Sequence, residues 1–197
     1  MDFLYSIDLA ILKFVNETTE NPFFDFLMPF VTDLHLNRWF AIPVLVILFS
    51  YYVYRFKKKS FVFFLFLMLA LSASDFTGGR IKRIVERPRP FQNNELHVTQ
   101  RSPASENTSF YSNHASNNFT FATYSSLVFP EAKIFYFSIA ALISYSRVYN
   151  GVHYPSDVFA GSITGLLWGM LFHFLLFKTL LRKENSWDRL SLGQMVF

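Results

Sequence analysis

Four long stretches of the chain carry no charge: WFAIPVLVILFSYYVY at 39–54, FVFFLFLMLALSA at 61–73, FYFSIAALISYS at 135–146 and VFAGSITGLLWGMLFHFLLF at 158–177. A helix needs about 20 apolar residues to cross the hydrocarbon core of a bilayer, where its backbone groups must pair within the helix. The runs therefore predict membrane-spanning helices at about 39–56, 60–87, 131–147 and 155–181. HASNNFTFATYSSLVF at 114–129 predicts one more helix, of mixed character. Residues 3–16 and 22–35 are apolar but too short to span alone, and predict a short hairpin, shallow or lying in the membrane interface. RFKKKS at 55–60 and PEAK at 130–133 read as turns, 91–111 as a polar loop and 182–197 as a polar tail. The expectation is an all-α polytopic membrane bundle of about six helices with the N-terminal hairpin, in a single domain over 1–197.

With 52% hydrophobic and 16% charged residues, the chain has too little polar surface to cover four such helices as the core of a soluble protein. It contains no cysteine, which excludes disulfides and thiolate chemistry. The net charge of +4 is not arranged as a basic–aromatic repeat, which argues against a nucleic-acid partner. The N-terminus lacks the basic region and small-residue cleavage site of a secretory signal and reads as mature protein.

The ionisable residues that interrupt the apolar pattern converge at one depth. If RFKKKS lies on one side, the next helix delivers Lys82 and Arg89 to the other. The mixed helix starts there with His114, and the following helix returns to it with Arg147 and the loop carrying His153. Such residues are costly in a membrane and mark function. Pro88 biases Arg87 out of the α region, which places Arg89 just past the helix end. Lysine and arginine at one spot suit phosphate oxygens. In FYSNHASNN, a polar turn opens a helix whose free N–H groups favour an anion; Ser112 supplies a hydroxyl, Asn113 tolerates left-handed backbone and His114 is a candidate proton donor. His153 and Asp157 stand four residues apart, so the carboxylate reaches the imidazole Nδ1–H and leaves Nε2 free to attack. Two histidines and an aspartate also suit a metal, but three adjacent cations repel a divalent ion and attract an anion, so no metal or cofactor is expected. In the last helix Asp157, Gly161, Gly165 and Gly169 share one face, a surface for close helix packing.

These motifs resemble those of the type 2 phosphatidic acid phosphatase superfamily, which includes the vanadium haloperoxidases. Lys-x6-Arg-Pro is met by Lys82, Arg89 and Pro90, and Ser-Arg-x5-His-x3-Asp by Ser146, Arg147, His153 and Asp157. The middle motif, usually Pro-Ser-Gly-His, reads Tyr111-Ser112-Asn113-His114, with asparagine where the family has a glycine whose backbone N–H approaches phosphate. The resemblance implies that His153 attacks phosphorus to form a phosphohistidine, that Asp157 orients it and that His114 protonates the leaving oxygen. It implies that Lys82, Arg89, Arg147 and Ser112, with the backbone at Asn113, hold the phosphoryl oxygens without a metal. The family's substrates suggest a bacterial envelope lipid: lipid A 1-phosphate, undecaprenyl diphosphate, phosphatidylglycerol phosphate or phosphatidic acid.

A non-enzymatic lipid-phosphate binder or transporter would keep the cations but needs no His–Asp pair, and a haloperoxidase is normally soluble. The assumed cytoplasmic side carries nine Lys and Arg and the far side eight, or five once the three site cations are set aside. That bias predicts a bacterial inner-membrane protein with the site facing the periplasm or exterior and the tail in the cytoplasm. The 91–111 loop, with Arg101, and the N-terminal hairpin are where substrate selectivity is expected.

Overall fold

The computed structural model describes residues 2–33, 38–57, 59–104 and 108–181. The tail expected at 182–197, the end of the hairpin at 34–35, Lys58 of the basic turn and positions 105–107 of the polar loop lie outside the described residues. Most of the described chain is helical. Helix α1 spans Asp2–Lys13 and continues as a π-helical turn, Phe14–Thr18; α2 spans Pro22–Asp33. Then follow α3, Arg38–Phe56, α4, Lys59–Val85, α5, Asn113–Val128, α6, Lys133–Tyr149, and α7, Pro155–Leu181. Two 3₁₀ turns, Pro90–Gln92 and Asn94–Leu96, lie in the loop after α4.

Helices α4 and α7 are long and apolar enough to cross a membrane, and most of each apolar window is unburied. Helices α3 and α6, at 19 and 17 residues, are close to the ~20 needed to span. Along α4, Leu65, Met68, Leu69 and Phe76 face outward, while Phe63, Leu67, Ala70, Ser74 and Gly78 are buried. The helix stops at Val85, two residues short of the sequence-based boundary. Glu86 turns into the left-handed region at φ 47° and Pro88 follows, so the chain cannot continue as a helix.

The mixed composition of α5 has its explanation in position. It packs against α4, α6 and α7, and its Ser, Thr and Ala residues from Ala115 to Ser126 form much of the buried interior. Small side chains permit close approach where lipid supplies no hydrophobic drive between helices. The glycine stripe of α7 faces this helix. A Cβ at Gly161 would lie 2.5 Å from the Ser112 carbonyl oxygen, and one at Gly169 2.6 Å from Thr123 Cβ. The hairpin of α1 and α2 sits against α6 and the start of α7, at the end of the bundle where α4 stops and α5 begins.

Candidate active site

Three chain segments deliver the sequence-predicted residues to that end. Ser112 caps α5, its Oγ accepting from Ala115 N at 3.4 Å, and its backbone N–H donates to the Asp157 carbonyl at 3.0 Å. The first turns of α5 and α7 are thereby joined. Arg147 lies in the last turn of α6, buried, and donates from Nη1 to Thr32 Oγ1 of α2 at 2.8 Å. After α6, Gly151 adopts φ 70°, and a Cβ there would meet Val98 and the Thr99 carbonyl. Only glycine makes that turn without strain, and the turn folds back on α6, where Val152 N–H donates to the Arg147 carbonyl at 3.2 Å just before His153. Pro155 then opens α7.

His153 is 2% exposed, and its two ring nitrogens have different neighbours. Arg89 Nη1 lies 3.2 Å from Nε2 and also donates to the Val152 carbonyl at 2.8 Å. A guanidinium only donates, so Nε2 must carry the lone pair and Nδ1 the proton. Nδ1 faces Asp157 Oδ2 at 3.5 Å, longer than a well-formed hydrogen bond. Catalytic hydrogen bonds are often this long before substrate binds. Burial pushes the imidazole well below its usual pKa, and the nearby Arg89 and Arg147 push it further against the opposing pull of Asp157. The ring is therefore neutral at physiological pH, with its lone pair at Nε2.

The other predicted residues are arranged differently. Lys82 donates to the carbonyl oxygens of Thr108, Ser109 and Tyr111 at 3.3, 3.1 and 2.7 Å, so its ammonium holds the strand of chain entering α5. Asn113 donates from its side chain to Asp75 Oδ1 of α4 at 2.9 Å, in space left by Gly78. His114 is half-buried in the first turn of α5, and its carbonyl accepts from Asn118 Nδ2 at 2.8 Å. Arg101 does not reach the site. It pairs with Glu20 and Asp25, both at 2.7 Å, and straps the 91–111 loop to the hairpin. Among the described residues, no three His, Asp or Glu side chains are grouped to hold a metal ion.

Sequence reasoning missed Arg87 and Asp8. Arg87 donates to Asp157 Oδ1 at 2.8 Å and to Asp8 Oδ2 at 2.6 Å, with its guanidinium 3.7 Å from the centre of the Tyr154 ring. The signal lay in α1, where Asp8 is the one acid between Phe3 and Lys13 in an otherwise apolar run. A carboxylate there needs a partner.

The family pattern described as the PAP2 superfamily matches residues 61–180, and the chain belongs to that superfamily. It is 37% identical over 79 residues to a lipid A 4'-phosphatase of Bacteroides thetaiotaomicron, covering 39% of this chain and 35% of that protein. It is 31% identical over 94 residues to a lipid A 1-phosphatase of Rhizobium johnstonii, covering 46% and 38%. The chain thus spans little more than a third of the curated relatives it matches. Among solved structures, LpxE of Aquifex aeolicus superposes with a TM-score of 0.66 at 28% identity, over 83% of this chain and 93% of that one. The transmembrane PAP2 type phosphatidylglycerolphosphate phosphatase of Bacillus subtilis gives 0.68 at 24% identity, over 94% and 90%, a likeness of fold. The fold is that of a membrane-embedded, all-helical PAP2 protein.

Proposed function

We propose that the chain is a membrane lipid phosphatase that hydrolyses a phosphate monoester or diphosphate on a bacterial envelope lipid through a phosphohistidine on His153. The observation that carries this reading is the buried, neutral imidazole whose Nε2 lone pair faces Arg89 and whose Nδ1–H faces Asp157. Substrate draws the Arg89 fork from Nε2 to a phosphoryl oxygen, which frees the nucleophile and places it beside phosphorus in one movement. Nε2 bonds to phosphorus as the ester or anhydride P–O bond breaks, and His114 gives its proton to the departing oxygen. Water then attacks phosphorus, passes its proton to His114 and releases phosphate, and the P–N electron pair returns to Nε2. Asp157 stabilises the positive charge that the ring carries between the two steps.

Arg89, Arg147, Lys82 and the Ser112 hydroxyl receive the phosphoryl oxygens, supplying the positioning and charge that phosphoryl transfer requires. The protein's own cations fill that role, so the reaction is metal-independent. The lipid A phosphatase relatives favour a lipid A phosphate among the candidate substrates, ahead of undecaprenyl diphosphate and phosphatidylglycerol phosphate. The inner membrane, with the site facing the periplasm or exterior, follows from the basic residues on the opposite side. Residues 1–197 are read as one catalytic domain. The test is phosphate release by purified protein from a panel of these lipids with and without EDTA. Turnover that survives EDTA supports the reading; turnover restored only by a divalent ion would contradict it.

A further inference from the structure

Asp8 lies on a helix whose other side chains mostly face outward: Phe3, Leu4, Ile7 and Ile11 are exposed, whereas Asp8 is 6% exposed. Both of its oxygens are used. Oδ1 accepts from Ser156 N at 2.8 Å, and Oδ2 accepts from Ser156 Oγ and Arg87 Nη2, both at 2.6 Å. The other arm of Arg87 donates to Ser156 Oγ at 2.7 Å and Asp157 Oδ1 at 2.8 Å. Asp157 Oδ2 accepts from Tyr154 N at 2.9 Å and faces His153 Nδ1. A carboxylate is planar, so fixing Oδ1 on the guanidinium fixes where Oδ2 points. The guanidinium is itself fixed on two sides, by Asp8 and by the Tyr154 ring.

We propose that Asp8 and Arg87 are a positioning pair that aims the Asp157 carboxylate at His153, which makes the N-terminal helix part of the catalytic apparatus. The pair also balances charge. Around the His153–Asp157 pair stand Asp8 and Tyr5 from α1, Lys82, Arg87 and Arg89 from α4 and the chain after it, Arg147 from α6 and Tyr154 from the turn before α7. Arg87 offsets the Asp157 carboxylate, and Asp8 offsets part of Arg87.

The role rests on the phosphatase reading, and the test separates the two. A merely structural Asp8 would cap the first turn of α7 through Oδ1, a contact that Asp8→Asn retains. The experiment measures kcat, KM and the pH profile of phosphate release for the wild type, Asp8→Asn, Arg87→Lys and Arg87→Gln, in full-length purified protein. Losing the aim of Asp157 should lower kcat about 10²-fold in Arg87→Gln with KM unchanged. With the Arg87 charge gone, the uncompensated Asp157 favours the imidazolium of His153, so the acid limb of kcat moves to higher pH. Asp8→Asn leaves Arg87 less neutralised and moves that limb to lower pH. Arg87→Lys keeps the charge and loses the fork, so kcat falls while the limb stays. If Arg87→Gln does not fold, the limb of Asp8→Asn, moved to lower pH, against the unmoved limb and lowered kcat of Arg87→Lys carries the result. Limbs that coincide in all variants, with activity tracking thermal stability alone, would overturn the proposal while the phosphatase reading stands. A wild type that turns over no lipid phosphate would overturn both.

Discussion

The two ends of the bundle are held by different forces. At the end away from His153, rings of Tyr52, Phe63, Tyr124 and Phe129 pack on Leu67 and Leu176. Tyr52 and Phe63 stack with centroids 4.6 Å apart, and the Tyr124 hydroxyl donates to the Phe63 carbonyl at 2.9 Å. At the other end Leu12, Val15, Met28, Val148, Tyr149 and Tyr154 form a second apolar cluster, laced with charges that meet other charges or carbonyl oxygens. Along α7 the ends are 19 residues apart from Asp157 to Leu176, roughly 28 Å at a helical rise. Lipid offers helices no hydrophobic drive to associate, so the aromatic end contributes packing and a few hydroxyl hydrogen bonds, with no ion pair among its described residues. The charged end is costlier to assemble, since each ion withdrawn from water loses several kcal/mol of hydration that its partners must offset. Cost concentrated at one end marks where the chemistry is.

The sharpest way to break the comparison is to remove the nucleophile. His153→Ala should lower phosphate release by about 10⁴-fold or more while leaving membrane insertion and detergent behaviour intact. The opposite end should answer in the opposite way. Phe63→Ala removes a ring from the stack and should lower stability by about 3 kcal/mol, with kcat and KM of the folded protein unchanged. Thermal unfolding and kinetics on the same preparation separate the two responses. Lost turnover at full stability in Phe63→Ala would show that the ends are not independent.

A smaller effect follows from pH. His153 is held neutral by burial, so its folded pKa is below the unfolded value of about 6.5. The stability contribution of the neutral ring is complete above that unfolded value. It is lost as pH falls from there toward the folded pKa, because the unfolded state takes up the proton first. Activity should persist below pH 6.5 as far as His153 is concerned, and His153→Ala should flatten the acid side of the unfolding midpoint against pH. The smallest effect belongs to Asn113→Gly. The side chain is engaged with Asp75 of α4, so kcat should change by less than about tenfold, with a modest loss of stability from the Asp75 bond and the added backbone freedom.

The apolar spans and the three motif clusters were legible because each depends on local spacing: runs near 20 residues, a proline that ends a helix, an aspartate one turn after a histidine. What stayed hidden depends on contacts between distant segments. Asp8 and Arg87 are 79 residues apart, and Asn16 reaches 83 residues to Thr99. Arg101 drew attention as part of a loop expected to bear on substrate selectivity, but its partners Glu20 and Asp25 lie 76 or more residues away and were not legible. Lys82 looked like a phosphate ligand alone; its three carbonyl bonds add a second task, holding the chain that enters α5. Arg87 could be counted as a charge in the sequence, but the carboxylates that meet it come from α1 and α7.

The central claim is a covalent phosphohistidine on His153, and the stereochemical course at phosphorus tests it most directly. A lipid phosphomonoester made chiral with oxygen isotopes and sulfur, hydrolysed in isotopically labelled water, reports how many displacements occur. Attack by His153 followed by attack of water is two in-line displacements, and the account predicts net retention of configuration. Net inversion would mean that water attacks the substrate directly, and would contradict the account.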